Sequence, residues 1–250
     1  MTVPATTRTA LVTGGGAGIG AAIAAALMAD GVHCTITGRS PQRPADLDDT
    51  IGYVTLDYLD AASLDRAVGI ISDELHPDIL INNAGINRKE PFTDADPHNL
   101  QDVWTVNLAG PYRLTQACLP HMIGRQWGRI VNISSIWSIT GNPTNTAYCA
   151  SKFAVDGFTV ALAAEVARKG VLVNAIAPGY ILTEILQERY SAERLKQVSA
   201  HIPIGRPGRP EEIGAFAAWL ASDANTYITG QNILIDGGLT RTTHPFAPID

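Results

Sequence analysis

Short apolar runs alternate with alanine-rich stretches along the whole chain, and this alternation constrains the fold more than any other feature. Continuous apolar runs are typical of parallel strands that are covered on both faces. The stretches between them, such as GAAIAAALMAD, have the period of a helix. The sequence therefore predicts an α/β fold with a doubly wound, parallel, seven-stranded sheet and helices on both faces. The predicted strands begin at Thr9, Val32, Ile51, Asp78, Gly128, Val171 and Asn232.

Length and hydrophobic content favour a single domain that comprises residues 1–250. A chain of 250 residues with 46% hydrophobic residues can bury one large core. Two segments depart from the alternation. GRSPQRPADLDDT, from Gly38, contains two prolines and lacks a helical period, so we expect a shortened loop or a brief helix there. The segment of about residues 180–210 follows the carboxyl end of the sixth strand, where ligands bind in such sheets, and is predicted to be a substrate lid.

Charge and motif content exclude several classes of partner. The formal net charge is -6 and no basic run occurs, which argues against a nucleic acid or an anionic membrane surface. No apolar run approaches the roughly 20 residues that span a bilayer, and the start of the chain lacks the pattern of a signal peptide. The histidines show no ligand spacing, so no catalytic metal is expected. A small-molecule substrate is therefore the expected partner.

The cysteines indicate a reducing compartment. Cys34, Cys118 and Cys149 are odd in number and lack C-x-x-C spacing, which is typical of reduced thiols in a cytoplasmic protein. Cys149 lies beside Tyr148 and could act as a nucleophile, but a small buried helix residue is the favoured interpretation.

A glycine-rich motif, TGGGAGIG at residues 13–20, directly follows the first predicted strand and opens an alanine-rich helix. Glycines allow a tight turn and a close approach to a pyrophosphate, and the helix N-terminus presents unpaired N–H groups with a partial positive charge. The motif alone is also compatible with a plain tight turn. The order of strand, glycines and helix favours a Rossmann-type dinucleotide site. Its predicted residues are Gly14, Gly16, Gly18, Ile19 and Gly20.

The end of the second strand indicates which dinucleotide is bound. NAD-binding sites carry an acid there for the ribose hydroxyls, whereas this chain has Arg39. An arginine can pair with a 2′-phosphate and lie against the adenine, so NADP(H) is favoured over NAD(H). A solvent-facing Arg39 that tolerates either cofactor is the alternative. Asp57, after the third strand, is placed to accept a hydrogen bond from the adenine amino group, although an N-cap role for Asp57 or Asp60 is equally compatible.

Further motifs follow the glycine-rich segment in a fixed order. They are NNAG at 82–85, Asn107 in TVNLAG, NISS at 132–135, Tyr148 and Lys152 in YCASK, PG at 178–179 followed by Thr183, and DGG at 236–238. Any one of them could arise by chance, but their joint order and spacing could hardly do so. Together they resemble the short-chain dehydrogenase/reductase family over essentially the whole chain. The resemblance implies a nicotinamide-dependent oxidoreductase that acts on a secondary alcohol or a ketone.

Tyr148 and Lys152 are one helical turn apart, so their side chains are neighbours on one helix face. Interconversion of a carbonyl and an alcohol by hydride transfer requires a proton at the substrate oxygen. A free tyrosine has a pKa of about 10, and an adjacent cation favours its phenolate form. The residues thus predict Tyr148 as the general acid/base and Lys152 as the cation that tunes it. The resemblance implies that Lys152 also holds the nicotinamide ribose.

The resemblance completes a catalytic set with Asn107 and Ser135. Ser135 lies 13 positions before Tyr148, the family spacing for the serine that bonds the substrate oxygen. Ser134 is the neighbouring alternative, but adjacent residues that leave a strand point in opposite directions. Asn107 would hold a water that links Lys152 to bulk solvent in a proton relay. Bonding to the local backbone is the alternative for this asparagine taken alone.

The resemblance also implies cofactor contacts after the fourth and sixth strands. The residues after the fourth strand would let the backbone pass close to the adenine ribose. The residues after the sixth strand would shape the nicotinamide pocket. Turn chemistry explains the Pro-Gly step nearly as well. The implied residues are Asn83, Ala84, Gly85, Pro178, Gly179, Ile181 and Thr183.

The substrate-side residues are less patterned. NNAGINRKEPF and APGYILTE resemble gluconate 5-dehydrogenase and related sugar-acid dehydrogenases of the family, in which Arg88 would meet a carboxylate. A plain surface charge is an equally open interpretation of Arg88. Trp137 replaces a smaller residue often found there and indicates a narrowed or stacking pocket. The substrate-binding candidates are Arg88, Ser135, Trp137, Asn142, Tyr148 and Tyr180.

A polyol, a sugar or a sugar acid is therefore the leading substrate class. A 3-oxoacyl thioester reductase is the runner-up, because RPGRPEEIG and ITGQNILIDGG resemble that branch, although no concentrated basic patch for an acyl carrier protein is present. Small hydrophobic ketones remain open. A non-catalytic nucleotide-binding protein is a remote alternative, because such a protein would be expected to have lost at least one catalytic residue.

The resemblance implies a homotetramer built through the long helices and the last strand. The tail at residues 239–250 could reach a neighbouring subunit or its active site. A disordered chain end is the alternative.

Overall fold

The computed structural model describes residues 7–242, which form one parallel sheet of seven strands. The strand order is β3-β2-β1-β4-β5-β6-β7, and every neighbouring pair is parallel. The predicted fold class is confirmed. The strands are β1 (Thr9–Val12), β2 (His33–Gly38), β3 (Gly52–Thr55), β4 (Ile79–Asn82), β5 (Gly128–Ile133), β6 (Val171–Pro178) and β7 (Asn232–Ile235).

Helices cover both faces of the sheet. Helices α1 and α8 pack against each other on one face, and α2, α4 and α5 cover the opposite face. Helix α8 approaches α1 so closely that a Cβ at Gly214 would lie 2.5 Å from the Ala22 carbonyl oxygen. The α-helices are α1 (Gly18–Ala29), α2 (Ala61–Ile70), α3 (Pro97–Trp104), α4 (Gly110–Gly124), α5 (Thr146–Val166), α6 (Glu184–Arg189), α7 (Ala192–His201) and α8 (Pro210–Leu220).

Alternate residues of β1 belong to two separate hydrophobic cores, because successive side chains of a strand point to opposite faces. Ala10 and Val12 pack beneath α1 and α8, whereas Leu11 packs beneath the helices of the other face. None of the three is more than 2% exposed. Burial on both faces is the physical reason that the strands are recognisable as unbroken apolar runs.

The connection between β2 and β3 contains no helix, which agrees with the first of the two expectations for this segment. The Arg43 guanidinium donates hydrogen bonds to the backbone carbonyls of Leu47, Asp48 and Ile51. One side chain thus satisfies carbonyl groups that a crossover helix would otherwise pair within itself.

The long helical pattern around Asn107 forms two helices joined by a wider turn. Helix α3 ends at Trp104, the π-helical turn Thr105–Ala109 follows, and α4 begins at Gly110. A Cβ at Gly110 would lie 2.1 Å from Tyr58 Cδ1, so the glycine lets the tyrosine ring pack against the helix. Asn107 is buried, at 2% exposure. Single π-helical turns within α-helices occur frequently at functional sites.

The sheet has a switch point between β1 and β4, where the strand order reverses. Strands β2 and β3 lie on one side of β1, and strands β4 to β7 lie on the other side. In doubly wound sheets this arrangement opens a crevice at the carboxyl ends of the strands, where ligands bind. The glycine-rich turn follows β1, the NNAG motif begins at the last residue of β4, and Ser135 follows β5. The main sequence motifs therefore meet at one edge of the sheet.

Helices α6 and α7 lie within the segment predicted to be a lid, whose movement stays a prediction. Between residues 7 and 242, no helix is long and apolar enough to cross a membrane. In the same part of the chain, no three His, Cys, Asp or Glu side chains are grouped so that they could hold a metal ion. Residues 243–250 of the predicted tail lie outside the described residues.

Candidate active site

The turn after β1 requires glycine for two different reasons. Gly14 and Gly18 have φ angles of 63° and 53°, in the left-handed region that glycine adopts without strain. Gly20 lies so close to the turn that a Cβ would be 2.3 Å from the Gly14 carbonyl oxygen. A Cβ at Gly16 would meet no atom within 4 Å, so this glycine faces open space.

The N-terminus of α1 is available to an anion. Its N-cap residue, Ala17, provides no side-chain hydrogen bond, and the first turn contains no acidic residue. The first N–H groups of the helix and its dipole therefore favour a phosphate group at this end. Together with the open space at Gly16, these residues fit the pyrophosphate of a dinucleotide.

Thr13 and Asn83 hold the turns after β1 and β4 together. Thr13 Oγ1 accepts hydrogen bonds from the backbone N–H groups of Asn83, at 2.9 Å, and of Ala84, at 3.0 Å. The Asn83 amide donates to the carbonyls of Thr13, at 2.9 Å, and of Gly14, at 3.2 Å. The Asn83 side chain thus shapes the glycine-rich turn, and contact of NNAG with the adenine ribose stays a prediction.

Arg39 and Asp57 lie after β2 and β3. Arg39 is exposed and forms no hydrogen bond or ion pair with any other residue between 7 and 242. Asp60, rather than Asp57, is the N-cap of α2 and accepts a 2.9 Å hydrogen bond from the Ala62 N–H. Asp57 instead accepts one from the Leu59 N–H, also at 2.9 Å. The N-cap alternative therefore applies to Asp60.

Ser135, Tyr148 and Lys152 converge at the carboxyl end of β5. The Ser135 side chain lies close enough to Tyr148 to affect the pKa of its phenol. Lys152 Nζ lies 5.6 Å from the centroid of the Tyr148 ring and donates a 2.7 Å hydrogen bond to the Ile133 carbonyl. The structure thus brings together a phenol, a hydroxyl group and a cation, which are the groups that proton transfer to a carbonyl oxygen needs.

Ser134 points away from this group. Its Oγ donates a 2.8 Å hydrogen bond to Asp156 Oδ1, whereas the Ser135 side chain lies on the side of Tyr148. The expected alternation of adjacent side chains after the strand is observed, and it favours Ser135 over Ser134 as the substrate-binding serine.

Burial dominates the ionisation of both groups. It raises the pKa of Tyr148 to about 12, and the hydrogen bond with Ser135 opposes this shift. Burial lowers the pKa of Lys152 to about 8, and the charge of Asp156 opposes that shift. Burial thus sets the net direction of the Tyr148 shift, and the expectation that Lys152 favours the phenolate stays a prediction. The phenol is therefore protonated at neutral pH.

Asn107 connects the π-helical turn to the loop after β4. Its amide donates a 3.0 Å hydrogen bond to the Ile86 carbonyl, and its Oδ1 accepts a 2.8 Å hydrogen bond from the Ile86 N–H. The same amide donates to Ser151 Oγ at 3.0 Å, and the Ser151 hydroxyl donates to the Tyr148 carbonyl at 2.7 Å. Asn107 thus bonds to backbone, as the alternative interpretation expects, while it also braces the helix of Tyr148.

A small, partly open cavity adjoins Asn107 and Lys152. It provides about 10 Å³ for the centre of a water molecule. This volume is enough for about one water, and the polar lining could supply its hydrogen-bond partners. The polar side chains of the lining are Asn82, Asn107, Asn132 and Lys152.

The segment after β6 contacts the glycine-rich turn. Ile181 is buried and forms an isolated parallel bridge with Gly208. A Cβ at Gly18 would lie 3.2 Å from Thr183 Cγ2. Thr183 Oγ1 also accepts a 3.3 Å hydrogen bond from the Leu186 N–H and thereby caps α6. Thr183 therefore links the predicted pyrophosphate site to the predicted lid.

The Pro178–Gly179 step packs against the DGG motif. The Gly179 N–H donates a 3.0 Å hydrogen bond to the Ile235 carbonyl. A Cβ at Gly179 would lie 2.8 Å from Asp236 Cα, so a side chain there would push the two segments apart. Close packing is thus one reason for glycine at this position.

Three aromatic side chains form a cluster on the substrate side, which we call the aromatic corner. The Trp137 and Tyr180 ring centroids are 6.5 Å apart in an edge-to-face arrangement, and those of Tyr180 and Tyr190 are 6.4 Å apart. Trp137 follows Ser135 by two residues, and Tyr190 follows α6. Sequence reasoning missed Tyr190, because a single aromatic residue in an irregular segment has no pattern that identifies it.

Arg88 and Asn142 lie on two loops that are joined by a 2.9 Å backbone hydrogen bond from Glu90 to Thr144. The Arg88 side chain is 46% exposed, and its guanidinium lies 3.8 Å from Asp102 Oδ2. This ion pair supports the surface-charge interpretation of Arg88. The Asn142 side chain forms no hydrogen bond with another residue of the described range, so its amide is available to a ligand.

Comparisons with known proteins identify the family. The family model described as enoyl-(acyl carrier protein) reductase matches residues 14–240. Nodulation protein G of Azospirillum brasilense is 40% identical over 242 residues, which cover 93% of this chain and 98% of that protein. A 3-oxoacyl-(acyl carrier protein) reductase of Aquifex aeolicus is 39% identical over 242 residues, which cover 93% and 97%. The chain belongs to the short-chain dehydrogenase/reductase family.

Solved structures of this short-chain dehydrogenase/reductase family agree closely with the fold. A gluconate 5-dehydrogenase from Burkholderia cenocepacia, in complex with NADP and tartrate, has a TM-score of 0.87 at 34% identity and covers 94% of this chain and 96% of its own. A chain from Beutenbergia cavernae with bound NADP, described as a candidate gluconate 5-dehydrogenase, has a TM-score of 0.89 at 37% identity, with coverage of 95% and 98%. The protein is a nicotinamide-dependent oxidoreductase that acts on CH–OH groups.

Sequence reasoning missed several polar groups of this short-chain dehydrogenase/reductase site. The Thr13 hydroxyl and Ser151 act through contacts between elements that are distant in sequence, so no local signal reveals them. Asp156 is different, because it follows Lys152 by one helical turn and helix periodicity places it on the same face. That signal was available in the sequence.

Gly20→Ala is expected to lower the free energy of unfolding by about 1–3 kcal/mol, although alanine is favoured over glycine in a helix by about 1 kcal/mol. The new Cβ would lie 2.3 Å from the Gly14 carbonyl oxygen and 2.6 Å from the Asn83 side-chain nitrogen, so the turn would have to shift. Urea unfolding without added cofactor measures the change.

Gly16→Ala is the matched control for this experiment. Its Cβ would meet no atom within 4 Å, so the free energy of unfolding is expected to stay within about 0.5 kcal/mol of the wild type. Equal stabilities of the two variants would contradict the steric requirement at Gly20.

Proposed function

We propose that this short-chain dehydrogenase/reductase interconverts the alcohol and keto forms of a polyol, a sugar or a sugar acid, with NADP(H) as the hydride carrier. One observation carries the proposed chemistry. Ser135, Tyr148 and Lys152 converge at the same sheet edge as a glycine-rich turn that fits a pyrophosphate. A proton donor and a dinucleotide site at one edge are what carbonyl reduction by hydride transfer requires.

The catalytic roles follow from the chemistry of the side chains. NADP(H), when bound, supplies or accepts the hydride at the substrate carbon. Ser135 binds the substrate oxygen and directs it toward Tyr148. Tyr148, whose pKa of about 12 keeps it protonated, gives its proton to that oxygen in reduction and takes it back in oxidation. The charge of Lys152 stabilises the phenolate that the proton transfer leaves behind.

Lys152 and one water would return the proton to Tyr148. The cavity beside Lys152 has room for about one water molecule. Asn107 keeps the shape of this cavity, because its amide fixes Ile86 on one side and Ser151 on the other. In this proposal Asn107 supports the relay through the position of the elements that it braces.

The residues proposed to hold the cofactor surround the crevice. Gly85 lies beside the buried Lys152, because a Cβ at Gly85 would be 3.6 Å from the Lys152 nitrogen. The proposed cofactor residues are Gly14, Gly16, Gly18, Ile19, Gly20, Arg39, Asp57, Asn83, Ala84, Gly85, Tyr148, Lys152, Pro178, Gly179, Ile181 and Thr183.

Arg39→Asp is expected to lower the ratio of kcat/KM with NADPH to kcat/KM with NADH by at least about tenfold. The unpaired guanidinium would bind the 2′-phosphate, whereas an aspartate would repel the phosphate and could accept hydrogen bonds from a ribose. Steady-state kinetics with both cofactors measure the ratio. Arg168→Ala, at an exposed arginine beyond α5, is the control and should leave it unchanged. An unchanged ratio in Arg39→Asp would refute the proposed NADP(H) preference.

The substrate class is supported by the aromatic corner and by similarity to gluconate 5-dehydrogenases. Aromatic rings provide a flat apolar surface for the C–H groups of a sugar, and a few polar groups fix the orientation of such a ligand. Asn142 has an unused amide and is proposed to bind a hydroxyl group. Arg88 is proposed to meet a carboxylate only if its ion pair with Asp102 opens.

A substrate panel tests the proposal. NADPH and NADH oxidation would be measured with keto sugar acids, ketoses, 3-oxoacyl thioesters and aryl ketones, and the reverse reaction with sugar acids and polyols. We expect the highest kcat/KM for a sugar acid, a sugar or a polyol. A kcat/KM at least about tenfold higher for a 3-oxoacyl thioester or an aryl ketone would overturn the proposed substrate class.

A 3-oxoacyl thioester reductase is the second candidate function. A relative of that name is 39% identical over 242 residues, and the matching family model describes a reductase of acyl carrier protein substrates. The same catalytic residues would serve both reactions. The thioester arm of the panel separates the candidates, and the aryl ketone arm tests the reduction of small hydrophobic ketones.

We further propose that the protein is a cytoplasmic homotetramer. Helices α3, α4 and α5 carry one group of exposed large hydrophobic side chains. Two further exposed side chains lie on α8 and in the segment before β7. Exposed apolar groups of this kind mark surfaces that bind other chains. Sedimentation equilibrium is expected to give four times the mass of one chain. The side chains are Leu100, Trp104, Tyr112, Phe153 and Val160, and then Trp219 and Tyr227.

A further inference from the structure

Asp156 continues the face of α5 that carries Tyr148 and Lys152, because each of the three residues follows the last by one helical turn. Its half-buried carboxylate binds two side chains from other elements. Oδ1 accepts a 2.8 Å hydrogen bond from Ser134 Oγ, and Oδ2 accepts one from Asn232 Nδ2. The carboxylate therefore joins α5 to the end of β5 and to β7.

Both hydrogen-bond partners of Asp156, Ser134 and Asn232, are connected to Ser135. Ser134 is its neighbour in the chain. Asn232 Nδ2 also donates a 3.0 Å hydrogen bond to Ser138 Oγ, and the Ser138 hydroxyl donates to the Ser135 carbonyl at 2.7 Å. Ser138 is only 2% exposed, so this part of the network is shielded from water. Hydrogen bonds to a charged group are strong in such surroundings.

Asp156 is also the acid that interacts with Lys152. Burial lowers the pKa of Lys152, and the charge of Asp156 opposes this effect. Burial raises the pKa of Asp156, and its hydrogen bonds and the charge of Lys152 oppose the rise. Tyr148 and Cys149 on the same helix are the other titratable groups of this region. The end of β5, β7 and the π-helical turn contribute only neutral hydroxyl and amide side chains from the described part of the chain.

We propose that Asp156 is a positioning residue of this site, which fixes Ser135 through Ser134 and Asn232 and acts as the counter-ion of Lys152. The proposal rests on the function proposed above, because that function assigns the reaction to Ser135 and Lys152. An acid with a purely structural role would hold the elements together but would leave the protonation of Lys152 unchanged.

Asp156→Asn removes the charge at nearly constant size. Loss of a negative charge favours the deprotonated forms of its neighbours, so the Lys152 pKa is expected to fall by about one unit. The alkaline limb of the kcat/KM profile should move to lower pH by a similar amount. Lys152 is followed directly by NMR of its side chain across pH, in protein labelled with ¹³C and ¹⁵N at lysine. The other lysines of the chain, Lys89, Lys169 and Lys196, are internal references.

Three further variants complete the test. Asp156→Glu restores the charge and is expected to restore the Lys152 midpoint. Ser134→Ala removes one hydrogen bond but keeps the charge, so it should lower kcat/KM a fewfold and leave the midpoint within about 0.3 pH units. Asp156→Ala removes the charge without an added amide, and it replaces Asp156→Asn if the latter does not fold.

The outcomes separate this proposal from the proposed function. An unchanged Lys152 midpoint in a folded, uncharged variant overturns the role of Asp156, even if the wild type reduces sugars. A wild type that turns over none of the panel overturns the proposed function. Because the NMR titration needs neither substrate nor cofactor, it decides the role of Asp156 in that case as well.

Discussion

Tyr148→Phe is expected to lower kcat by at least about a hundredfold while the dissociation constant for NADPH stays within about twofold of the wild-type value. The substitution removes only the phenolic oxygen, and general acid–base catalysis contributes typically about 10²–10⁴ to the rate. The ring remains beside Lys152, whose nitrogen lies 5.6 Å from its centroid. Turnover of the best substrate in the panel and titration of NADPH fluorescence provide the two measurements.

Tyr180→Phe is the matched control for Tyr148→Phe, because it makes the same chemical change in the aromatic corner. Its kcat is expected to stay within about tenfold of the wild type. A Tyr148→Phe variant that reduces carbonyls at an undiminished rate would show that the proposed mechanism is wrong. Wild-type NADPH binding without any turnover would instead favour the non-catalytic alternative.

Lys152→Met is expected to lower kcat/KM by at least about a hundredfold and, at neutral pH, to stabilise the fold. The activity is lost because methionine carries no charge to stabilise the Tyr148 phenolate. The stability is gained because a buried ammonium is costly to desolvate. The two opposite effects distinguish a catalytic lysine from one that serves only to hold the structure.

The pH dependence of stability follows from the pKa of Lys152, which is about 8 in the fold against an ordinary value of 10.5. Below pH 8 Lys152 is protonated in both the folded and the unfolded state, so the folded state has the full cost of desolvating the ammonium group. Between pH 8 and 10.5 the unfolded state binds more protons, and the free energy of unfolding rises with pH. The shift corresponds to roughly 3 kcal/mol, and the lost hydrogen bond to Ile133 offsets about 1 kcal/mol.

Urea unfolding at pH 7 and pH 10 measures these effects. The free energy of unfolding of Lys152→Met should exceed that of the wild type by about 1–2 kcal/mol at pH 7. This difference should shrink at pH 10. Lys169→Met, at an exposed lysine, is the control and should match the wild type at both values. A Lys152→Met variant that is less stable than the wild type at pH 7 would contradict the desolvation argument.

Much of the fold could be predicted from hydrophobic pattern alone. The strands are buried on both faces, so each one is an apolar run, and the prolines after β2 exclude a long crossover helix. The role of Arg43 in closing that connection could not be predicted. It depends on where Leu47 and Asp48 present their carbonyl groups, which only the folded loop determines.

Residue spacing made it possible to predict which side chains of the site are neighbours. The pKa values depend on burial, which the sequence did not reveal. One helical turn between Tyr148 and Lys152 predicts that the side chains are neighbours, but not that burial would raise the pKa of the tyrosine and lower that of the lysine. The ion pair of Arg88 with Asp102 joins a loop to α3, so sequence separation concealed it. The single π-helical turn around Asn107 adds only one residue to a long helical pattern, which is too little to reveal it in the sequence.

The π-helical turn Thr105–Ala109 amounts to one additional residue in a helix that would otherwise run without interruption. Deletion of any one of its residues would restore regular hydrogen bonding. It would also rotate α3 against α4 by about 100°, the angle that one α-helical residue spans. Asn107 could then no longer reach Ile86 while Gly110 stayed against Tyr58. At this point the chain encodes the alignment of α3 with α4 as a count of residues, which no single substitution can change.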